Sequence, residues 1–255
     1  MVAGRDEVRI GDIGHEGRDR IELRHHRRRL EIGDLEIEVP AVVAVLSGEG
    51  AGGEAYIAEG LGADLVEVRL DLIPGDGMKI LREVREATTL PIIATNRWAV
   101  EGGAFRGGED ERIEILAEAS AWADLVDVEV MAEGRDRLLE MVDRPAILSY
   151  HDFSGVPGIE EAGSILRVAF EAGAGIAKLA LTPASLEECL ALLSLLLSAP
   201  GPTSLLGMGE VGRHLRALAP IYGSVLTYGY ITAPAAPGQI PVKDLRGVLD
   251  VLMGR

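Results

Sequence analysis

Short runs of β-branched and aliphatic residues recur from about residue 41 onward, at intervals of roughly 20–35 residues. They are Val42–Leu46, Leu65–Leu70, Pro91–Thr95, Leu125–Val130, Ala146–Tyr150, Gly175–Leu181, Thr203–Leu206 and Val225–Tyr228. Between them the apolar positions switch to helical spacing, as in Arg112–Trp122, Glu160–Glu171 and Leu186–Leu197. Pro183 and Ser185 mark the start of the last of these helices, and Pro200-Gly201-Pro202 marks its end. Near-continuous hydrophobic strands alternating with helices predict a parallel sheet covered on both faces. Eight such units predict a (β/α)8 TIM barrel. A doubly wound sheet is the alternative, but no G-x-G-x-x-G opens the first βα turn.

The first 40 residues break this rhythm. Arg29–Ile32 and Leu35–Val39 alternate polar and apolar residues around Gly33-Asp34, which predicts a hairpin placed to close the bottom of the barrel. Residues 1–28 are expected to form an N-terminal tail, and residues 29–255 one barrel domain including the hairpin. Arg24–Arg29, which includes His25 and His26, is the one basic cluster and reads as a solvated patch.

Composition narrows the function. A formal charge of −16 argues against a nucleic-acid partner, since a polyanion is repelled by such a surface. No apolar run approaches membrane-span length, and the charged N-terminus is unlike a signal peptide, so a cytoplasmic protein is expected. The single cysteine, Cys189, excludes an internal disulfide framework and a Cys-rich metal site. Three lysines stand against 22 arginines, which makes the position of each lysine informative.

Charges appear where barrel strands should be apolar. Glu67 and Arg69 lie two apart in LVEVRLDL, and Asp127 and Glu129 two apart in LVDVEV, so each pair faces one side of its strand. IIATN runs into Arg97 with Glu101 four residues later, AILSY runs into His151, and GIAKLAL carries Lys178. Isolated charges in hydrocarbon cost too much, so these groups must meet one another or a polar ligand. In a barrel the meeting point is the C-terminal mouth. Either charged pair alone, Glu67/Arg69 or Asp127/Glu129, is equally well read as a structural ion network, and a lone histidine after a strand is more often a hydrogen-bonding residue. Lys178 resists such a reading. Desolvation favours the free amine of a buried lysine, and that amine forms a Schiff base with a ketone or aldehyde. The iminium acidifies the neighbouring C–H; His151 is the natural base, oriented by Glu101 or Glu129. The ligand spacing suggests neither a metal nor another cofactor. The chemistry is Schiff-base activation ending in elimination or aldol cleavage.

The ordered motifs resemble the type I 3-dehydroquinate dehydratases. They are E-x-R-x-D (Glu67 to Asp71), R-x-x-x-E-G-G (Arg97 to Gly103), D-x-E (Asp127 to Glu129), S-Y-H-D-F (Ser149 to Phe153), Ala177-Lys178-Leu179, Met208-Gly209 followed by Arg216, and A-P-G-Q-I (Ala236 to Ile240). The resemblance implies dehydration of 3-dehydroquinate to 3-dehydroshikimate by a syn elimination in the shikimate route to chorismate, with no cofactor. It implies Lys178 as the imine-forming residue, His151 as acid and base, and Glu101 as its carboxylate partner. It implies substrate contacts from Glu67, Arg69, Arg97, Asp127, Glu129, Arg216 and Gln239, and a homodimer. Ala235 and Val45 stand where the family often has serine, which puts affinity, not chemistry, in question. A class I aldolase is the competing enzyme, but it calls for a phosphate loop stronger than Leu206-Gly207-Met208-Gly209. A non-catalytic binding barrel is disfavoured because both Lys178 and His151 are present.

Overall fold

A computed structural model describes residues 28–254. Residues 1–27 of the expected tail, with Arg24–Arg27 of the basic cluster, lie outside the described residues, while Arg28 and Arg29 begin the first strand.

Two antiparallel strands come first, β1 (Arg28–Ile32) and β2 (Leu35–Val39), joined through Gly33 at a left-handed φ of 58°. Eight parallel strands follow: β3 (Ala41–Leu46), β4 (Leu65–Arg69), β5 (Ile92–Thr95), β6 (Leu125–Glu129), β7 (Ala146–Asp152), β8 (Ile176–Leu181), β9 (Thr203–Gly207) and β10 (Leu226–Tyr230). They pair in sequence order from β3 to β9, with β10 beside β3 and the two-residue β11 (Ile240–Pro241) beside β10. The seam between β9 and β10 closes without a regular ladder. The Val225 amide donates to the Thr203 carbonyl at 2.9 Å, and the Leu205 amide donates to Ser224 Oγ at 3.0 Å. Ser204 Oγ donates to the Leu226 carbonyl at 3.0 Å. Side-chain hydroxyls thus supply part of what a ladder would, and the sheet becomes a barrel.

The main helices are α1 (Ala51–Ala58), α2 (Gly77–Ala87), α3 (Glu109–Ala119), α4 (Arg135–Met141), α5 (Ile159–Glu171) and α6 (Leu186–Leu197). The short α7 (Gly209–Gly212) and α8 (Leu215–Leu218) precede α9 (Val242–Leu252). Ser185 caps α6, its hydroxyl accepting from the Glu188 amide at 3.2 Å, while the Glu188 carboxylate accepts from the Ala184 amide at 2.7 Å. Helix α3 begins three residues earlier than its apolar spacing suggests. Glu109, Asp110 and Glu111 fill its first turn, where acidic side chains favour the positive end of the helix dipole, and the chain turns out of the helix at Ser120–Trp122.

Strand alternation divides the core in two. Outward residues such as Val42, Ala44, Val66 and Val68 pack beneath α1, α2 and α9. Inward residues Val43, Leu65, Ile93, Leu125, Ile147 and Ile176 form a separate interior cluster, joined by Ile32, Ile37 and Val39 of the hairpin. The hairpin therefore lays its apolar face against the bottom of the barrel and keeps water from that end. One or two residues further along each strand the interior positions turn polar: Glu67, Thr95, Asp127, Ser149, Lys178 and Ser204, all buried. The strand register places Ser149 beside Lys178, Lys178 beside Ser204, and Thr95 beside Asp127. The apolar floor and polar upper layer together place the chemistry at the C-terminal mouth.

Candidate active site

Lys178 sits mid-strand on β8 with its side chain turned inward. Its Nζ lies 2.8 Å from Asp127 Oδ2, 3.5 Å from Glu67 Oε1 and 4.4 Å from the centre of the Tyr228 ring. Carboxylates are what touch it, because β4 and β6 send Glu67 and Asp127 to the same depth. Asp127 Oδ1 accepts from Arg97 Nη2 at 2.6 Å and from Ser149 Oγ at 2.6 Å. Burial would raise the Asp127 carboxyl, but Arg97 and Lys178 outweigh it and hold the group well below the usual carboxylate range. Burial works in the opposite sense on Arg97; Asp127 and Glu129 override it and fix the guanidinium as a cation.

His151 ends the inward row of β7. Its backbone amide donates to Glu101 Oε2 at 2.8 Å, and its Nδ1 lies 3.0 Å from that same oxygen. Two donors on one oxygen favour the tautomer with hydrogen on Nδ1, leaving Nε2 as an acceptor. Burial, then Arg97 and Lys178, pushes the imidazole well below its ordinary pKa, so it rests neutral. Burial pushes Glu101 up to about 7; Arg97 opposes this, while Glu129 and Asp127 reinforce it. The loop carrying Glu101 admits no side chain at its glycines. A Cβ on Gly103 would lie 2.0 Å from the Arg97 carbonyl oxygen, and one on Gly102 would lie 2.1 Å from the Phe153 ring. The E-G-G motif is therefore a packing requirement that docks the Glu101 loop against Arg97 and Phe153.

Arg216 is buried and meets no carboxylate among the described residues. Its Nη atoms donate to the backbone carbonyls of Tyr228 and Pro237 at 3.2 Å each, and its Nε has no partner. Burial and the charge of Arg213 lower it to about 10. A desolvated cation with a spare donor beside a cavity is a site prepared for an anion. Gln239 folds its Oε1 back onto the Ala235 and Ala236 amides at 2.6 and 3.3 Å, which shapes the loop after β10.

These groups surround one cavity at the mouth. Glu67, Arg69, Arg97 and Glu101 line it, together with His151, Lys178, Arg216 and Gln239. Asp127 and Glu129, expected as substrate contacts, do not. Both are buried behind Arg97, and their oxygens are taken by protein donors. Val45 and Ala235 do form part of the wall. Tyr228 and Arg112 carry no sequence signal strong enough to single them out, and Asp71 enters only as the last residue of the E-x-R-x-D motif. Tyr228 reads as an ordinary strand aromatic, yet its ring lies against Lys178, and its hydroxyl is buried without a partner. Asp71 is bidentate to Arg69 at 2.9 and 2.7 Å and also accepts from the Arg97 and Ala104 amides. Arg112, a charged residue at helical spacing, lies fully buried against Glu129.

The family model of type I 3-dehydroquinase matches residues 43–254. The chain is 51% identical over 228 residues to the 3-dehydroquinate dehydratase of Methanothrix thermoacetophila, covering 89% of this chain and 99% of that one. The crystal structure of 3-dehydroquinate dehydratase from Geobacillus kaustophilus superposes with a TM-score of 0.82 at 28% identity, covering 90% of this chain and 98% of that one. A Clostridium difficile type I enzyme, solved with covalent modified comenic acid, gives 0.80 at 28% identity, covering 89% and 98%. An eight-stranded barrel with a lysine, a histidine and an unpaired arginine at one mouth, matched over nearly its whole described length, belongs to the type I 3-dehydroquinase family, the hydro-lyases that dehydrate 3-dehydroquinate through a Schiff base.

Proposed function

We propose that Lys178, His151 and Glu101 carry out this dehydration, and that Arg216, Gln239, Glu67, Arg69 and Arg97 hold the substrate. The observation that carries the assignment is the Lys178 amine at the cavity wall, within one chamber of a neutral imidazole and an uncompensated arginine. Arg216 takes the substrate carboxylate as a charge-assisted pair, and this places the C3 ketone over Lys178. The amine adds to the ketone and one water leaves as the imine forms. The protonated imine draws electrons from C2, and His151 Nε2 removes the C2 proton to leave an enamine. The electrons return to expel the C1 hydroxyl, which His151 protonates with the proton it has just taken. One group serves both steps because the two bonds lie on one face, as a syn elimination requires. Hydrolysis of the product imine consumes one water, so the net loss is the water from C1. Glu101 stabilises the imidazolium that exists between the two transfers.

We place the enzyme in the cytoplasm as a homodimer. Among the described residues no helix is long and apolar enough to cross a membrane. Leu186, Leu190 and Leu197 leave an exposed apolar strip along α6, which supports a partner surface. Light scattering is expected to give twice the protomer mass; the mass of one chain would refute the dimer.

Incubation with 3-dehydroquinate and borohydride is expected to leave a reduced adduct mapped by mass to Lys178. Lys178→Ala abolishes it, whereas His151→Ala still traps substrate but lowers kcat by about 10²–10⁴-fold. Absence of an adduct in the unaltered enzyme, or normal turnover by His151→Ala, would overturn these roles.

Arg216→Leu removes one charge-assisted pair, expected to raise KM about 10- to 100-fold with a smaller effect on kcat. An unchanged KM would place the carboxylate elsewhere.

The pH dependence follows from the pair. Protonating Glu101 makes it a donor to Nδ1 and moves the imidazole hydrogen to Nε2, where the base is needed. The acid limb of kcat/KM is therefore expected near pH 7, where the buried Glu101 titrates. Glu101→Gln removes that titration and leaves the depressed imidazole, so the limb moves to lower pH while the plateau falls. A limb that stays in place would show that Glu101 does not set it.

A further inference from the structure

Among the described residues Arg112 is, like Arg216, a fully buried arginine, but it belongs to α3, outside the barrel wall. It lines no part of the cavity. Its Nε and Nη2 make a bidentate pair with Glu109 at 2.8 Å each, which holds the guanidinium from the solvent side. Nη1 passes over the end of β5, 3.3 Å from the Asn96 carbonyl, and bonds Glu129 Oε2. The Trp98 ring lies 5.9 Å from its Cζ.

Glu129 is where two lines of contact divide. Its Oε1 faces Arg97 Nη1 at 3.0 Å, and Arg97 in turn holds Asp127 at 2.6 Å, which holds Lys178 at 2.8 Å. The same oxygen accepts from the Trp98 amide at 3.0 Å, fixing the residue from which the Ala99–Glu101 turn springs; Glu101 then holds His151. The result is a run of alternating charge, Glu109, Arg112, Glu129, Arg97, Asp127, Lys178, leading from α3 to the reacting amine. A merely structural cation would need only to neutralise Glu129. This one divides that carboxylate, taking one oxygen so that Arg97 remains free to grip Asp127 with its other nitrogen.

We propose that Arg112 is a positioning residue of the dehydration site, acting through Glu129 to set both the Arg97–Asp127 support of Lys178 and the turn that carries Glu101. This rests on the assignment of Lys178 as the imine-forming residue. Lys178 is faced by Glu67 from β4, Arg97 from the loop after β5, Asp127 from β6, His151 from β7 and Tyr228 from β10. Without the charge of Arg112, Glu129 competes with Asp127 for Arg97, and Asp127 is left to hold the lysine as an ammonium.

The test compares the unaltered enzyme with Arg112→Met and Arg112→Lys, reading kcat, KM and the pH at which borohydride trapping of 3-dehydroquinate on Lys178 is half-maximal. Arg112→Met is expected to lower kcat about tenfold or more, to leave KM within about twofold, and to raise the trapping midpoint by about half a pH unit or more. Arg112→Lys, which keeps the charge and loses the fork, restores the midpoint more fully than kcat. A folded Arg112→Met with unchanged kcat overturns the proposal, as does a loss of kcat with an unmoved midpoint. Should the methionine variant fail to fold, Glu109→Gln loosens the same guanidinium from its solvent side and is read the same way, with a smaller fall in kcat expected; unaltered kinetics there overturn the proposal. No adduct in the unaltered enzyme would instead refute the Lys178 assignment itself.

Discussion

The site depends on one carboxylate. Asp127 holds Lys178 with one oxygen and Arg97 with the other, and Ser149 completes the second. Neither cation could remain at that depth alone, because burying an isolated ammonium or guanidinium costs several kcal/mol. With Asp127 between them, both are held at fixed positions, and the price of desolvation is met by short, charge-assisted contacts. This shared anion ties the proposed reacting nitrogen to the arginine at the cavity wall, with Glu67 as the second partner of one and Glu129 of the other. The interior below it is purely aliphatic and sealed by the hairpin, so water does not compete for Asp127 from that side.

A holding carboxylate creates a conflict with the chemistry, since it favours the ammonium that cannot attack a ketone. Arg97 draws on the same carboxylate, so Lys178 shares its charge with a second cation. Arg216 adds positive charge at the cavity wall that no carboxylate among the described residues compensates, whereas the Tyr228 ring, 4.4 Å from Nζ, favours the cation as a π partner. An acidic chain of charge −16 thus keeps an uncompensated cation, Arg216, at a cavity for an anionic substrate. Of its three lysines only Lys178 is buried in a strand, and arginine could not replace it because a guanidinium stays protonated and forms no imine.

Much of this was legible in the residues, for a definite reason. Period-two alternation states which side of a strand a residue faces, so Glu67, Asp127 and Lys178 could be assigned to the interior before any coordinates. Alternation does not state depth. Asp127 and Glu129 share a side as read, yet both stand behind Arg97 instead of at the cavity, because an arginine from the neighbouring loop is long enough to cover them. Arg112 was illegible on the same grounds. A Glu109–Arg112 pair at i, i+3 on a helix is indistinguishable in sequence from an ordinary surface pair. Only the docking of α3 against the ends of β5 and β6 shows that it is buried. The E-G-G motif lies between these cases: its glycines signal a tight turn, but the partners they must approach, the Arg97 carbonyl and the Phe153 ring, are distant in sequence or hidden in a loop.

The two departures from the family pattern can now be weighed by where they fall. Val45 and Ala235 both reach the cavity wall; Val45 stands in register beside Glu67 on the next strand, and neither side chain has a polar atom to bond Lys178, His151 or the carboxylates that hold them. The Ala235 amide still anchors Gln239, so the loop after β10 keeps its shape without a hydroxyl at that position. What the serine positions would add is a hydrogen bond to substrate; what the chain keeps is every contact that fixes the reacting groups relative to one another. Because the proposed imine and proton shuttle depend on those internal contacts and not on Val45 or Ala235, a binding hydrogen bond can be lost there while the chemical step is preserved.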